Sequence, residues 1–273
     1  FKEAGLDPNN PPIKSFADFR DGAKQLTKTE EGTVTRAGFL ANRRLMYFAN
    51  FLYANGGAVV NEDKFGNVPD PKCTLGSPEA MEVWELWYNL YNVDKSASAK
   101  LPGHTDAFSQ GVSAQCVSGN FFIDGLKTNA PDLQYTLSDM PYNKGKPEAQ
   151  LGGWMSVVTR DSAPEKKAGA WEFIRWINTK DNILDSLGKF VWLTTHKEAM
   201  KDPKAWQLNP EKIKKFYDAL PSITHVRPKT TIYQQMESTV DPIIDRLVIG
   251  ELNPTQASAE AVKAVEALLK EAV

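Results

Sequence analysis

Apolar residues recur at helical spacing along several stretches of this chain. After Ser15, the residues Phe16, Phe19, Ala23 and Leu26 fall on one face, and serine is a good N-cap, so a helix is predicted to begin there. Residues 43–54 form a second such stretch, stopped by Asn55-Gly56-Gly57, since glycine adopts the left-handed conformation that ends helices. Ser77-Pro78 opens a third, with proline at the first helical position, where its missing N–H costs nothing. Its Ala80, Trp84, Trp87, Tyr88 and Tyr91 read as core. In a fourth, over 164–178, Ala168, Trp171 and Ile174 share a face, so its aromatics are expected mostly in a core. Later helices are separated at Asp202-Pro203 and Asn209-Pro210, and Pro228 and Pro254 each precede or open one.

Shorter apolar runs read as strands at 33–39, 114–117, 133–137 and 155–159. Turns are expected at 63–67, around Gly66, and at 143–147, and the polar stretch 95–106 is irregular. Strands alternating with helices imply an α/β protein. The 273 residues suffice for one large core or two lobes. A formal charge of −2 leaves no electrostatic footprint for nucleic acid. No apolar run reaches the length of a transmembrane helix, and no basic cluster suggests a membrane surface.

Catalytic signatures were sought and are missing. There is no G-x-S-x-G elbow, phosphate-cradling glycine loop or dinucleotide fingerprint. His104, His196 and His225 have no metal-ligand spacing with another histidine or a cysteine, so neither metal nor cofactor is expected. Without a recognisable nucleophile–base set, the chain does not read as an enzyme. Cys73 and Cys116 could form a disulfide in an exported protein or remain two buried thiols. What stands out instead is aromatics beside glycine. A sugar ring has apolar C–H faces edged by hydroxyls, so its site needs flat aromatic faces with amide, carboxylate or guanidinium groups around them.

One block carries that pairing most clearly: GGWMSVVTRDSAPEKKAGAWEFIRWI, from Gly152 to Ile177. Its glycines permit close backbone approach, and Trp154 offers a flat face beside them. Around it, in order, stand FKEAGLDPNNPPIKSFADF, FANFLYANGG, AFSQGVSAQCVSGNFF, RPKTTIY and VIGELNPTQASAEAV. Together these segments resemble the extracellular solute-binding proteins of bacterial ABC importers, in the large sugar-binding branch that includes maltose-binding protein.

The resemblance implies a two-lobe fold of the periplasmic-binding-protein kind, with mixed sheets flanked by helices and the first lobe incomplete. Residues 1–150 and 206–273 would form the C-terminal lobe. Residues 151–205 would belong to the N-terminal lobe, whose remainder, about a third of the molecule, would precede Phe1. A monomer exported to the periplasm, or to the outer face of the cytoplasmic membrane, would capture a sugar between lobes hinged near 150–153 and 205–206. It would deliver the solute to the membrane permease with no bond broken. A polyamine, a quaternary amine or an acidic or phosphorylated sugar are alternative solutes, with Asp124 the nearest acid by sequence to Trp154. A glycan-processing enzyme and an adhesion module are further alternatives.

By the same resemblance, Trp154 and Gly153 would lie at the cleft mouth. Phe121, after Gly119, would stand where the family carries a stacking tryptophan, with Phe122 its competitor in register. Arg44 and Tyr47, with Arg43 as neighbour, would fall where that branch places a carboxylate and an aromatic on the ligand. An arginine there is a charge reversal that points toward anionic oxygens. Trp192, in KFVWLTT, matches a segment returning to the cleft. Arg227 and Tyr233 flank the cleft segment at Pro228. For each of these core packing or a solvated surface is the alternative that the residues alone leave open, and Trp154 is the strongest candidate among them.

Overall fold

A computed structural model describes residues 1–11, 13–63, 65–153, 155–207, 210–221 and 224–271. The helices in chain order are α1 (Phe16–Leu26), α2 (Leu45–Ala54), α3 (Pro78–Tyr88), α4 (His104–Ser109), α5 (Phe122–Asn129) and α6 (Pro164–Ile177). They continue with α7 (Lys180–Leu187), α8 (Lys197–Met200), α9 (Pro210–Ala219), α10 (Tyr233–Val248) and α11 (Pro254–Glu271). Strands β1 (Lys28–Glu30) and β2 (Thr33–Arg36) form an antiparallel hairpin, and β3 (Ala149–Leu151) pairs in parallel with β4 (Thr224–Val226), Gln150 opposite His225. Two compact units result: Phe1–Ser118 with Asp132–Leu151 and Pro221–Val273, and Gly119–Pro131 with Gly152–Leu220. The sequence reading cut the chain at 150/151 and 205/206; the units change over at 118/119, 131/132, 151/152 and 220/221.

The first unit is organised around α2, where Leu45 and every residue from Phe48 to Ala54 are buried. Phe48 packs on Trp84 and Trp87 of α3, with ring centroids 4.3 and 5.3 Å apart. Phe51 meets Phe19 and Phe39 at 5.9 and 5.8 Å. The predicted face of α1 is buried as expected, and Ser15 forms a capping box with Asp18: each side chain binds the other's backbone N–H. The Asn55-Gly56-Gly57 stop does more than end α2. The Asn55 side chain is buried; its oxygen accepts from the N–H groups of Asn143 and Lys144 at 3.0 and 3.3 Å. Its Nδ2 donates to the Glu79 carbonyl and to Glu82, each at 3.1 Å.

The second unit has a small core: Ile123, Val191 and Ile213, joined by Leu193, Trp206 and Phe216. Asp124 accepts from the Val191 N–H at 2.7 Å, and Asn120 donates to the Val191 carbonyl at 3.0 Å. These two bonds hold the 190–193 segment against α5. Asp124 is thereby committed to the backbone.

Several expectations are corrected. The aromatics of α6 are not core: the helix contributes no buried residue, and Trp171, Phe173 and Trp176 are each more than half exposed. Helical spacing fixes which side chains share a face; it cannot supply the surface that covers them. The runs at 114–117, 133–137 and 155–159 form no ladder, and the first makes only an isolated bridge, Leu40 to Cys116. An apolar run becomes a strand only where a partner offers its backbone groups. The predicted 33–39 strand ends at Arg36. Cys73 and Cys116 are free thiols, and burial pushes them up to about 11 and about 12. No helix among the described residues is long and apolar enough to cross a membrane.

Two stability outcomes follow from this packing. A Cβ built at Gly38 would lie 1.8 Å from the Ala23 carbonyl oxygen, so Gly38→Ala forces the backbone of α1 aside. Urea denaturation should show a loss of about 1–3 kcal/mol or more. Trp84→Ala, which empties the core beside Phe48, should cost about 3–5 kcal/mol, whereas Trp171→Ser and Trp176→Ser should each change the stability of this chain by no more than about 0.5 kcal/mol. Equal costs for the two groups would refute the assignment of α6 to the surface.

Candidate functional site

The amino end of α2 and the start of α10 bring four predicted residues into one polar cluster on the first unit. Arg44 is the N-cap residue of α2 in extended conformation, yet its own side chain caps nothing. Asp241 of α10 caps the helix in its place. Its Oδ1 accepts from the Leu45 N–H at 2.7 Å, and its Oδ2 from Arg44 Nε at 3.3 Å. A carboxylate at a helix N-terminus satisfies an orphan donor and opposes the helix dipole. Arg43 pairs separately with Asp245, at 3.1 Å. Tyr47 lies one turn into the helix, half-buried, edge-on to His104 at 5.1 Å. Burial pushes its phenol up, while Asn42, Arg44 and Arg227 pull it back.

Arg227, just beyond β4, leans over the Tyr233 ring, its guanidinium carbon 5.8 Å from the centroid. With its amide oriented to complement its neighbours, Gln150 of β3 accepts from Arg227 Nη2 at 3.0 Å and from Nε, and donates to the Met46 carbonyl at 3.1 Å. The Gln150 backbone N–H in turn donates to Asn50 Oδ1 at 2.7 Å. Arginine, ribbon and α2 are thus fixed to one another.

Two further groups complete the cluster, and sequence reasoning missed both. Glu237 lies one turn after Tyr233, and burial raises its carboxyl above the usual range, with Arg227, Arg44 and the Tyr233 hydroxyl opposing the shift. The Tyr233 hydroxyl and Glu237 Oε1 face each other, but among the described residues neither makes a hydrogen bond of good geometry. The signal that could have found Glu237 and Asp241 is their spacing: Tyr233, Glu237 and Asp241 follow one another at i, i+4 and i+8, one face of α10.

The other predicted residues belong to the second unit. Phe121 precedes α5 and is 51% exposed, its ring folded back over Gly119, where a Cβ would sit 2.4 Å from the ring. Phe122 is half-buried, and it is Ile123 that enters the core. Trp192 is 40% exposed on the segment that Asn120 and Asp124 hold against α5, so Phe121 and Trp192 lie on adjoining segments. Gly153 is exposed, and a Cβ built there would meet no described atom within 4 Å. Trp154 lies outside the described residues.

A cluster of paired cations and carboxylates, one half-buried carboxyl and a buried phenol has the chemistry to receive a hydroxylated solute. No group of three or more histidine, cysteine or carboxylate side chains among the described residues is arranged to hold a metal ion.

Solved structures share the fold. An ABC transporter solute-binding protein from Thermotoga lettingae, bound with α-D-tagatose, matches at 24% identity with a TM-score of 0.82 over 98% of this chain and 68% of that one. The maltose/maltodextrin-binding domain MalE from Bdellovibrio bacteriovorus, bound to maltotriose, matches at 17% identity and a TM-score of 0.80, over 96% and 67%. UgpB from Mycobacterium tuberculosis, in complex with glycerophosphocholine, matches at 16% and 0.76, over 99% and 66%. The chain therefore spans about two thirds of the length of these two-lobe proteins. The family model of bacterial extracellular solute-binding proteins matches residues 1–215, and the chain belongs to that family.

Proposed function

We propose that this protein is the solute-capturing component of an ABC importer and that its solute is a neutral sugar or small oligosaccharide. The observation that carries the solute class is the Tyr233–Glu237 pair beside Arg227, a hydroxyl and a carboxylate that face each other in poor hydrogen-bond geometry. A ligand hydroxyl donating to Glu237 and bonding Tyr233 would complete their hydrogen bonding. Arg44 and Gln150 supply further polar edges, and Tyr47 a half-buried ring. Phe121 and Trp192, on the second unit, are exposed aromatic faces of the kind on which sugar rings stack. Tagatose and maltotriose in two of the similar structures fit this class.

Charge balance favours a neutral solute over an anionic one. The arginine that replaces a carboxylate at position 44 is already matched by Asp241, and Arg227 is opposed by the nearby Glu237. A phosphorylated or acidic sugar, or a glycerol phosphodiester as in UgpB, would need cationic charge that here is largely committed. Asp124, the acid that a polyamine or quaternary amine would have used, is occupied by Val191. On this reading the protein works outside the cytoplasmic membrane, in the periplasm or at the membrane's outer face. It acts as a monomer, hands the solute to permease subunits and breaks no bond in it. The second unit, carrying Gly153, serves the N-terminal lobe.

Calorimetry against neutral mono- and oligosaccharides, sugar acids, glycerophosphodiesters and polyamines tests this. A neutral sugar should bind without being consumed, and Arg227→Ala and Glu237→Ala should each weaken it by about 1–3 kcal/mol. Binding confined to an anionic solute, unchanged affinity in both variants, or turnover of the ligand would each sink the reading.

A further inference from the structure

His225 is the middle residue of β4, opposite Gln150 in a ribbon only three residue pairs long. The chain passes between its two units at the ends of that ribbon. β3 ends on Leu151, the last residue before the second unit, and β4 begins just after Pro221, where the chain returns. The His225 ring is only 6% exposed and lies flat on Tyr53 of α2, with centroids 3.8 Å apart and planes 10° from parallel. This stack fixes where the ring nitrogens point. Nδ1 lies 3.4 Å from Glu148 Oε2, and Nε2 lies 3.8 Å from Glu62 Oε1. Nε2 is buried without a hydrogen-bond partner, and the Glu62 side chain is fully buried, so the second contact is sealed from solvent.

A neutral imidazole carries one N–H. With the proton on Nδ1, the ring donates toward Glu148 and sets the Nε2 lone pair against the Glu62 carboxylate. With the proton on Nε2, the Nδ1 lone pair faces Glu148 instead. Glu148 has Lys146 behind it, 2.9 Å from its other oxygen. Glu62 is held by the Val59 and Val60 N–H groups at 3.3 and 2.7 Å and by the Tyr53 hydroxyl at 3.2 Å. As a carboxylate it offers His225 acceptors only. One further proton at Oε1 or Nε2 satisfies both sides of the ring, whichever residue carries it.

We propose that the Glu62–His225 contact is a proton-operated lock on the β3–β4 ribbon: a single proton held between Oε1 and Nε2 turns a repulsive contact into a hydrogen bond and fixes the ribbon to the 59–62 segment. Closing the contact to an ordinary bond length of about 2.9 Å needs only a small shift of the ring edge. Burial raises Glu62 from 4.5 and lowers His225 from 6.5, with Glu148 and Asp63 opposing the change in the ring. The two groups approach each other and titrate as one couple, which gains its proton in mild acid. Among the described residues, the other titratable groups around the couple leave this window clear. Asp63 is bonded to Asn67, and Glu79 lies across the cavity that His225 and Glu62 help to line. Tyr53, Tyr233 and Cys73 are all pushed up by burial and stay neutral, and Arg227 acts on the two tyrosines. A raised carboxyl favours the folded chain in acid and a lowered imidazole favours it at higher pH, so the two offset in global stability. The signature of the lock is therefore local to the ribbon. It does not depend on which solute the protein binds.

Amide hydrogen exchange of the full chain at about pH 7.5 and about pH 5, corrected for intrinsic rates, is the test. Protection of the ribbon amides, 149–151 and 224–226, should rise in acid roughly two- to tenfold relative to α3 and α11, the worth of one hydrogen bond. Two-bond proton–nitrogen spectra should show the His225 ring changing over the same interval. In His225→Phe, which keeps a ring on Tyr53 but has no nitrogen, the acid response should vanish. Glu62→Gln, which cannot take up the proton, should abolish it as well. Ribbon protection that does not change with pH in the unaltered chain overturns the proposal whether or not either variant folds. A response that survives in either variant overturns it too.

Discussion

The rest of the structure depends on the burial of α2 on nearly all sides. A helix whose residues from Phe48 to Ala54 are all enclosed can meet polar groups only at its ends and along the β3–β4 ribbon. Its orphan backbone groups are therefore satisfied by side chains from distant parts of the chain. At the amino end Asp241 takes the Leu45 N–H. At the carboxyl end the buried Asn55 amide gathers the 143–144 loop and α3. Both are long-range bonds inside a low-dielectric surround, where leaving a polar group unmade costs more than the bond itself contributes. Arg44 and Tyr47 stand where they do because α2 cannot turn or slide without breaking one of these ends.

The same constraint shapes the electrostatics. Asp241 is held by the helix terminus, so its second oxygen is available to Arg44 at little further ordering cost. An arginine at a helix N-terminus would otherwise oppose the dipole. Placing a carboxylate between the two turns an unfavourable position into a paired one. The resulting cluster is nearly charge-balanced, while the Tyr233 hydroxyl and Glu237 meet only in poor hydrogen-bond geometry. That combination suits a ligand rich in hydroxyl groups better than one carrying a full charge.

How legible this was in the sequence differs by element. The α1, α2 and α3 boundaries could be read because caps, glycine stops and an N1 proline act locally, and Ser15, Gly56 and Pro78 do what such residues do in isolation. Arg44, Tyr47, Arg227 and Tyr233 were singled out through the resemblance, and the structure gathers them into one cluster. Glu237 and Asp241 escaped because a carboxylate on an amphipathic helix looks like a solvated one until its neighbours are known. The strands at 133–137 and 155–159 failed for a different reason: alternation of apolar residues says nothing about whether another strand is present to pair with. Trp171 and Trp176 show the same limit for helices, since a shared face is a local property and its cover is not.

The β3–β4 ribbon carries two polar couples of the first unit. Alternate residues of a strand point to one side, so Glu148 and Gln150 share a face, as do His225 and Arg227. On that face Glu148 and His225 form one couple, stacked on Tyr53, and Gln150 and Arg227 form another, bonded over Met46. Tyr53 and Met46 are seven residues apart on α2, about 10 Å along its axis at 1.5 Å per residue. The ribbon is only three residue pairs long, and all of 152–223 intervenes between its strands. A parallel pair so short has few backbone bonds of its own. Its register rests instead on side chains: Asn50 on the Gln150 N–H, Gln150 on Arg227, and Glu148 beside His225. A one-residue slip would turn both couples away from α2 at once. The polar residues of these two couples are therefore the ones that fix the position of the strands carrying them.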